Sequence, residues 1–154
     1  MAKLLPIVKH PNDILRKKSK IIKFNNSKNK IKALLPDMTK TMLEEDGSGL
    51  AAPQIGKNIR LIVVNTKDEI LCMINPKILK KSWAKFWFEE GCLSVPGFFG
   101  EVKRAKKINC QYLDKSGNKT TIKAEGLLAD IIQHEIDHLD GILFIDKARK
   151  LEKI

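Results

Sequence analysis

Two of the three histidines in the chain, His134 and His138, stand four residues apart with Glu135 between them. On a helix that spacing is about one turn, so both imidazoles lie on one face within reach of a single cation, and Glu135 projects beside it. The chemistry such a trio supports is metal-assisted hydrolysis, with two ligands and a carboxylate able to move a proton. Neighbouring residues fit a helix. Leu127, Ile131, His134 and His138 share one stripe, and Leu128, Ile132, Glu135 and Leu139 the next, which turns the histidines inward among apolar side chains. A core helix with two satisfied histidines is the plainer alternative, and the completed His-Glu-x-x-His pattern stands against it.

A catalytic divalent ion usually takes three protein ligands and keeps one position for water. Gly141 follows the second histidine as it does in one metalloprotease class, but that pattern's third histidine would fall on Phe144. Farther on, Glu152 lies in a charged tail, so the third ligand is expected upstream. The run Glu89-Glu90-Gly91-Cys92-Leu93-Ser94-Val95-Pro96-Gly97 sets a thiol after a glycine in a stretch too irregular for a regular strand, a setting that often carries function. Metal ligation and a nucleophilic thiol are both open for Cys92. The second is the weaker, because both histidines that could serve as its base already belong to the pair. Cys72, inside an apolar run, reads as a small core residue.

These groups need elements to hold them. From about 28 to 46 the residues Ile31, Leu34, Leu35, Met38 and Met42 keep helical spacing, with a kink or fresh start expected at Pro36. Gly47-Ser48-Gly49-Leu50-Ala51-Ala52-Pro53-Gln54-Ile55-Gly56 is half apolar, so it is expected to pack as a tight loop, with Gln54 as its one versatile hydrogen-bonding side chain. Residues 60–64 and 70–74 read as strands around a polar turn, with Asn75-Pro76 ending the second. Alternation over 82–88 makes a strand with two apolar faces. Val102–Leu113 and Asn118–Glu125 read as a hairpin through Asp114-Lys115-Ser116-Gly117, and Gly126 leads into the histidine helix.

With 154 residues and 43% hydrophobic content, the chain can bury about two thirds of its unfolded surface as a single domain. The first residues are broken by Pro6 and Lys9, so they lack a secretory apolar core, and no run approaches a membrane span. A cytoplasmic protein is expected, with its three cysteines as reduced thiols. The net charge of +11 favours encounters with polyanions, yet the lysines are dispersed without aromatic interleaving. A solvated surface is the expectation, with no dedicated nucleic-acid site.

Three separated stretches, Gly47–Gln54, Glu90-Gly91-Cys92-Leu93-Ser94 and Gln133-His134-Glu135-Ile136-Asp137-His138, together resemble the peptide deformylase family over nearly the whole chain. The resemblance implies an α+β fold, antiparallel sheets packed around a central helix that carries the histidines, as one catalytic domain over 1–154. It implies hydrolytic removal of the N-formyl group from the initiator methionine of nascent chains, releasing formate. The family's ligands map onto Cys92, His134 and His138, its acid/base onto Glu135, and its oxyanion donors onto Gln54 and the N–H of Leu93. Ser48, Phe88, Leu127 and Ile131 would line the methionine pocket with His134, and Gly49 would pair with the substrate backbone. Fe(II) is the implied ion, and the donor set also suits zinc, nickel or cobalt. A monomer is expected. Ser48 and Pro36 depart from the family pattern, and the chain ends at Ile154 without the extended C-terminal helix some bacterial members use at the ribosome, so only transient ribosome proximity is expected.

Overall fold

The computed structural model describes all 154 residues, and it folds as α+β, with two antiparallel sheets and two α-helices. The larger sheet begins at β1 (Gly49–Ala51) and β2 (Leu61–Asn65), which pair with each other and then with β3 (Ile70–Lys81). The run Leu61-Ile62-Val63-Val64 is completely buried. Leu61 and Val63 pack with Ile31, Met38 and Met42 of α1 (Phe24–Glu44), whereas Ile62 and Val64 pack with Ile132 and Ile136 of α2 (Leu127–Leu139). A strand covered on both faces needs no polar side, which is why this one reads as a continuous apolar run.

Helix α1 runs unbroken through Pro36, contrary to the expected kink or restart. A proline inside a helix costs about 3 kcal/mol. Burial of Ile31, Met38 and Met42, roughly 1.5–3 kcal/mol each, outweighs it. Strand β3 likewise continues past Asn75-Pro76 instead of ending there. Asn75 adopts φ 52°, the pairing register slips between Ile74 and Lys77, and the Asn75 side chain bonds the backbone N and O of Ile22 at 2.8 Å each. A bulge is one of the few places where a sheet tolerates proline, since no ladder donor is needed.

The smaller sheet has the order β4 (Lys85–Cys92), β5 (Val95–Ala105) and β8 (Arg149–Lys153). The stretch expected as one strand from Val102 to Leu113 changes sheets at Lys106. There β5 ends and β6 (Lys107–Leu113) enters the larger sheet between β3 and β7 (Lys119–Glu125). Lys106 is pinned at the crossing by hydrogen bonds to Ala84 and from Gly126, both 2.9 Å. The expected apolar faces of 82–88 are largely open: Trp83 is fully exposed, and the ring of Trp87 is covered by the Arg149 guanidinium at 3.5 Å. Helix α2 therefore lies between the sheets, docked on the larger one through Ala129, Ile132, Ile136 and Leu139. Gln133 straps it to the crossing, accepting from Ala105 N–H at 3.1 Å and donating to Ala105 O at 3.0 Å. No helix is long and apolar enough to cross a membrane.

Candidate metal centre

Cys92, His134 and His138 present one ligand atom each, all within 4.8 Å of one another. Cys92 reaches the histidines from the end of β4, where the hairpin to β5 pairs Cys92 with Val95 after a register slip at Gly91. The stretch read as too irregular for a regular strand is a bulged strand end, and the bulge aims the thiol. Its Sγ lies 3.3 Å from His138 Nε2. His134 Nδ1 bonds Glu90 Oε1 at 2.7 Å, which fixes the ring and leaves Nε2 for the centre. A thiolate and two imidazoles suit a divalent cation of the zinc or iron type.

Glu135 is almost buried, and its Oε1 has no protein partner. Burial lifts this carboxyl to about 7, the range suited to exchanging protons at neutral pH. Gly49 makes room for it: a Cβ there would stand 2.7 Å from Glu135 Oε2. Gln54, held by Ala51 N–H donating to its Oε1 at 3.0 Å, points its Nε2 at Ser94 Oγ (3.2 Å) and Cys92 Sγ (3.6 Å). The donor set, the partner on His134 and the buried carboxylate with an open acceptor together fit a catalytic divalent ion.

Behind the ligands lies a buried charge network that the sequence reading missed. Arg104 forks onto Glu90 through Nε and Nη2, both 2.9 Å, and its Nη1 reaches Asp137 Oδ2 at 2.6 Å. Asp130 Oδ1 stands 3.7 Å from Arg104 Nε. Burial works against the Glu90 carboxylate, but hydrogen bonds from Arg104 and His134 hold its pKa well below the ordinary range. Burial, then the adjacent Glu90, pushes Asp130 the other way, up to about 8. The one available signal was a charge on the inward phase of β5, where Val102 and Arg104 both turn into the protein.

The centre opens into a cleft of about 420 Å³. Of the residues singled out in the sequence, Ser48, Gly49, Gln54, Cys92, Leu93, Leu127, Ile131, His134 and Glu135 line it, while His138 is buried behind it. Phe88 does not line it. Its cross-strand partner is Val102, and the aromatic wall comes instead from Phe98 and Phe99, next to Gly91. Asp130 also lines the cleft, a charged side chain set between Leu127 and Ile131.

Comparison with known proteins agrees with this architecture. The profile of the family described as polypeptide deformylase matches residues 4–154. A peptide deformylase of Symbiobacterium thermophilum is 50% identical over 156 aligned residues, covering 98% of this chain and 70% of that protein. One from Syntrophomonas wolfei is 48% identical, covering 96% and 97%. The Met-Ala-Ser-bound class I type b peptide deformylase of Acinetobacter baumannii superposes with a TM-score of 0.89 at 39% identity, covering 96% of this chain and 99% of that one. With its antiparallel sheets around a helix that brings two histidines to a cysteine, the chain belongs to the polypeptide deformylase family of metal-dependent hydrolases.

Proposed function

We propose that the chain hydrolyses the N-formyl group of formyl-methionyl peptides, releasing formate and a free amine, with Cys92, His134 and His138 holding one divalent ion. When bound, such an ion polarises a carbonyl and lowers the pKa of water from about 15.7 to about 7. Glu135 takes the proton of the attacking water and returns it to the leaving nitrogen. Gln54 Nε2 and the N–H of Leu93 donate to the oxyanion, each typically worth about a hundredfold or more in rate. The backbone at Gly49 pairs with the substrate, and the methionine side chain enters between Ser48, Leu127 and Ile131. We read the ion as Fe(II), with zinc, nickel or cobalt able to use the same donors. We further read residues 1–154 as one catalytic domain acting as a monomer on nascent peptides in the cytoplasm, with transient proximity to the ribosome.

The observation that carries this reading is the meeting of three ligand atoms within 4.8 Å beside the buried Glu135 carboxyl. The test is formate release from formyl-Met-Ala-Ser by protein purified without oxygen and analysed for metal. Cleavage of casein or of an N-acetylated peptide, with no formate produced, would sink it in favour of a general protease.

Gly49→Ala is a sensitive probe of the acid/base. The new methyl group must displace the Glu135 carboxylate or the β1 backbone. A displacement near 1 Å at a reacting group can cost about a hundredfold, so kcat for formyl-Met-Ala-Ser is expected to fall by about that factor with the metal retained.

Air should inactivate the iron form through Cys92. Burial pushes the thiols of Cys72 up to about 12 and Cys110 up to about 11, which keeps them protonated and poor nucleophiles. Peptide mass mapping after aerobic incubation is expected to find sulfinic or sulfonic acid at Cys92 ahead of the other two, while the zinc form persists. Equal oxidation of all three would contradict the assignment of Cys92 as the ligand thiolate.

A further inference from the structure

The wall of the cleft that receives the first side chain is not uniformly apolar. Asp130 follows Leu127 by three residues on α2 and precedes Ile131, and all three line the cleft. Its side chain is only 7% exposed, and Oδ1 is sealed with no hydrogen-bond partner. The nearest cation, Arg104, is already forked onto Glu90 and bonded to Asp137, and it lies 3.7 Å from Oδ1. Glu90 is the one side chain placed to share a proton with this carboxyl, and no N–H or hydroxyl of the protein donates to it, so acceptor capacity remains that the fold does not use. Unused capacity of that kind is costly beside apolar neighbours unless something in the cleft meets it.

Resting on the formyl-methionyl reading of the cleft, we propose that Asp130 makes the first-side-chain pocket a hydrogen-bonding pocket, so that the enzyme also deformylates peptides whose first side chain ends in a hydrogen-bond donor. Charge state does not reverse this. Ionised or protonated, a carboxyl group carries an acceptor oxygen, so the pocket offers an acceptor in either form. A thioether or alkyl terminus leaves that acceptor to a trapped water, whereas a hydroxyl or amide terminus satisfies it directly.

The pocket is tested with two isosteres that differ only in a terminal CH₃ or OH: formyl-norleucine-Ala-Ser and formyl-5-hydroxynorvaline-Ala-Ser. The readout is the ratio of their kcat/KM values, hydroxyl over methyl, in the wild type, Asp130→Asn and Asp130→Leu, each loaded with zinc. An apolar wall rejects a buried hydroxyl, so the ratio is expected to drop about tenfold or more in Asp130→Leu. In Asp130→Asn, which keeps an acceptor oxygen, it should stay within a few-fold of wild type. An unchanged ratio in Asp130→Leu would overturn the proposal. Should that variant fail to fold, competition by the two deformylated product peptides against the wild type decides. Near-equal inhibition by the hydroxyl and methyl products is expected, and a clear preference for methyl refutes the pocket. Absence of formate from every formyl peptide with the wild type would instead sink the deformylase reading itself.

Discussion

Replacing Glu135 by Gln is expected to leave a folded protein with one metal per chain that deformylates roughly 10² to 10⁴ times more slowly, the range for loss of a general acid/base. Glu135 follows ligand His134 directly, so on α2 it lies about 100° around the axis from it and faces the cleft without joining the ligand group. Gln keeps the shape that fits against Gly49 and cannot take up a proton. The packing around the side chain should therefore survive while turnover does not. Cys92→Ala and His138→Ala supply the contrast, since each removes one of three ligands and should lose the ion. Metal content, thermal unfolding and formate release on the three variants separate the roles. A Glu135→Gln protein with near-normal turnover would refute the acid/base assignment, and one that lost its metal would make Glu135 a ligand.

The largest loss of stability is expected at Arg104, which stands outside both the cleft lining and the Cys92-His134-His138 group. Its side chain is 3% exposed and that of Glu90 is 4%, so Arg104→Met strands a carboxylate in the interior and leaves Asp137 with Lys147 alone. Breaking a buried pair from one side typically costs about 3–5 kcal/mol, which urea unfolding of the metal-free protein would resolve. Glu90 is also the acceptor that orients His134, so metal affinity should fall as well. The double variant Arg104→Met/Glu90→Gln distinguishes the two effects. With the stranded charge gone, much of the stability should return. The affinity should not, because a neutral amide is a weaker acceptor for the His134 N–H than a carboxylate. Full recovery of both would mean the network acts only through stability.

What could be read from the chain beforehand followed the range of the interaction. His134 and His138 sit within one helical turn, and the hairpin through Asp114–Gly117 within a few residues, so local spacing revealed both. The network around Arg104 joins Glu90 on β4, Arg104 on β5 and Asp130 and Asp137 on α2, and no sequence period links residues on three elements. Pro36 and Pro76 misled for a related reason. Each was weighed by local preference, while packing against the larger sheet kept α1 intact and a bulge absorbed Pro76. The departure of β5 from one sheet into the other was equally hidden, because Val102–Leu113 keeps strand-like composition across the crossing. Phe88 entered the expected pocket by resemblance alone, whereas the rings that line the cleft, Phe98 and Phe99, stand on the partner strand β5.

The placement of the ligands on separate layers gives the centre a second character. Cys92 ends a strand of the smaller sheet, while His134 and His138 ride on a helix docked to the larger one. In polymer terms, an ion held by all three closes a ring that runs from Cys92 through β5, β6 and β7 to His134. It restricts the unfolded chain much as a cross-link does, with an entropy that grows only slowly with the length enclosed. An ion held in this way would be a clasp as well as a reagent. Motions that part the two sheets would open such a ring while each sheet is still intact.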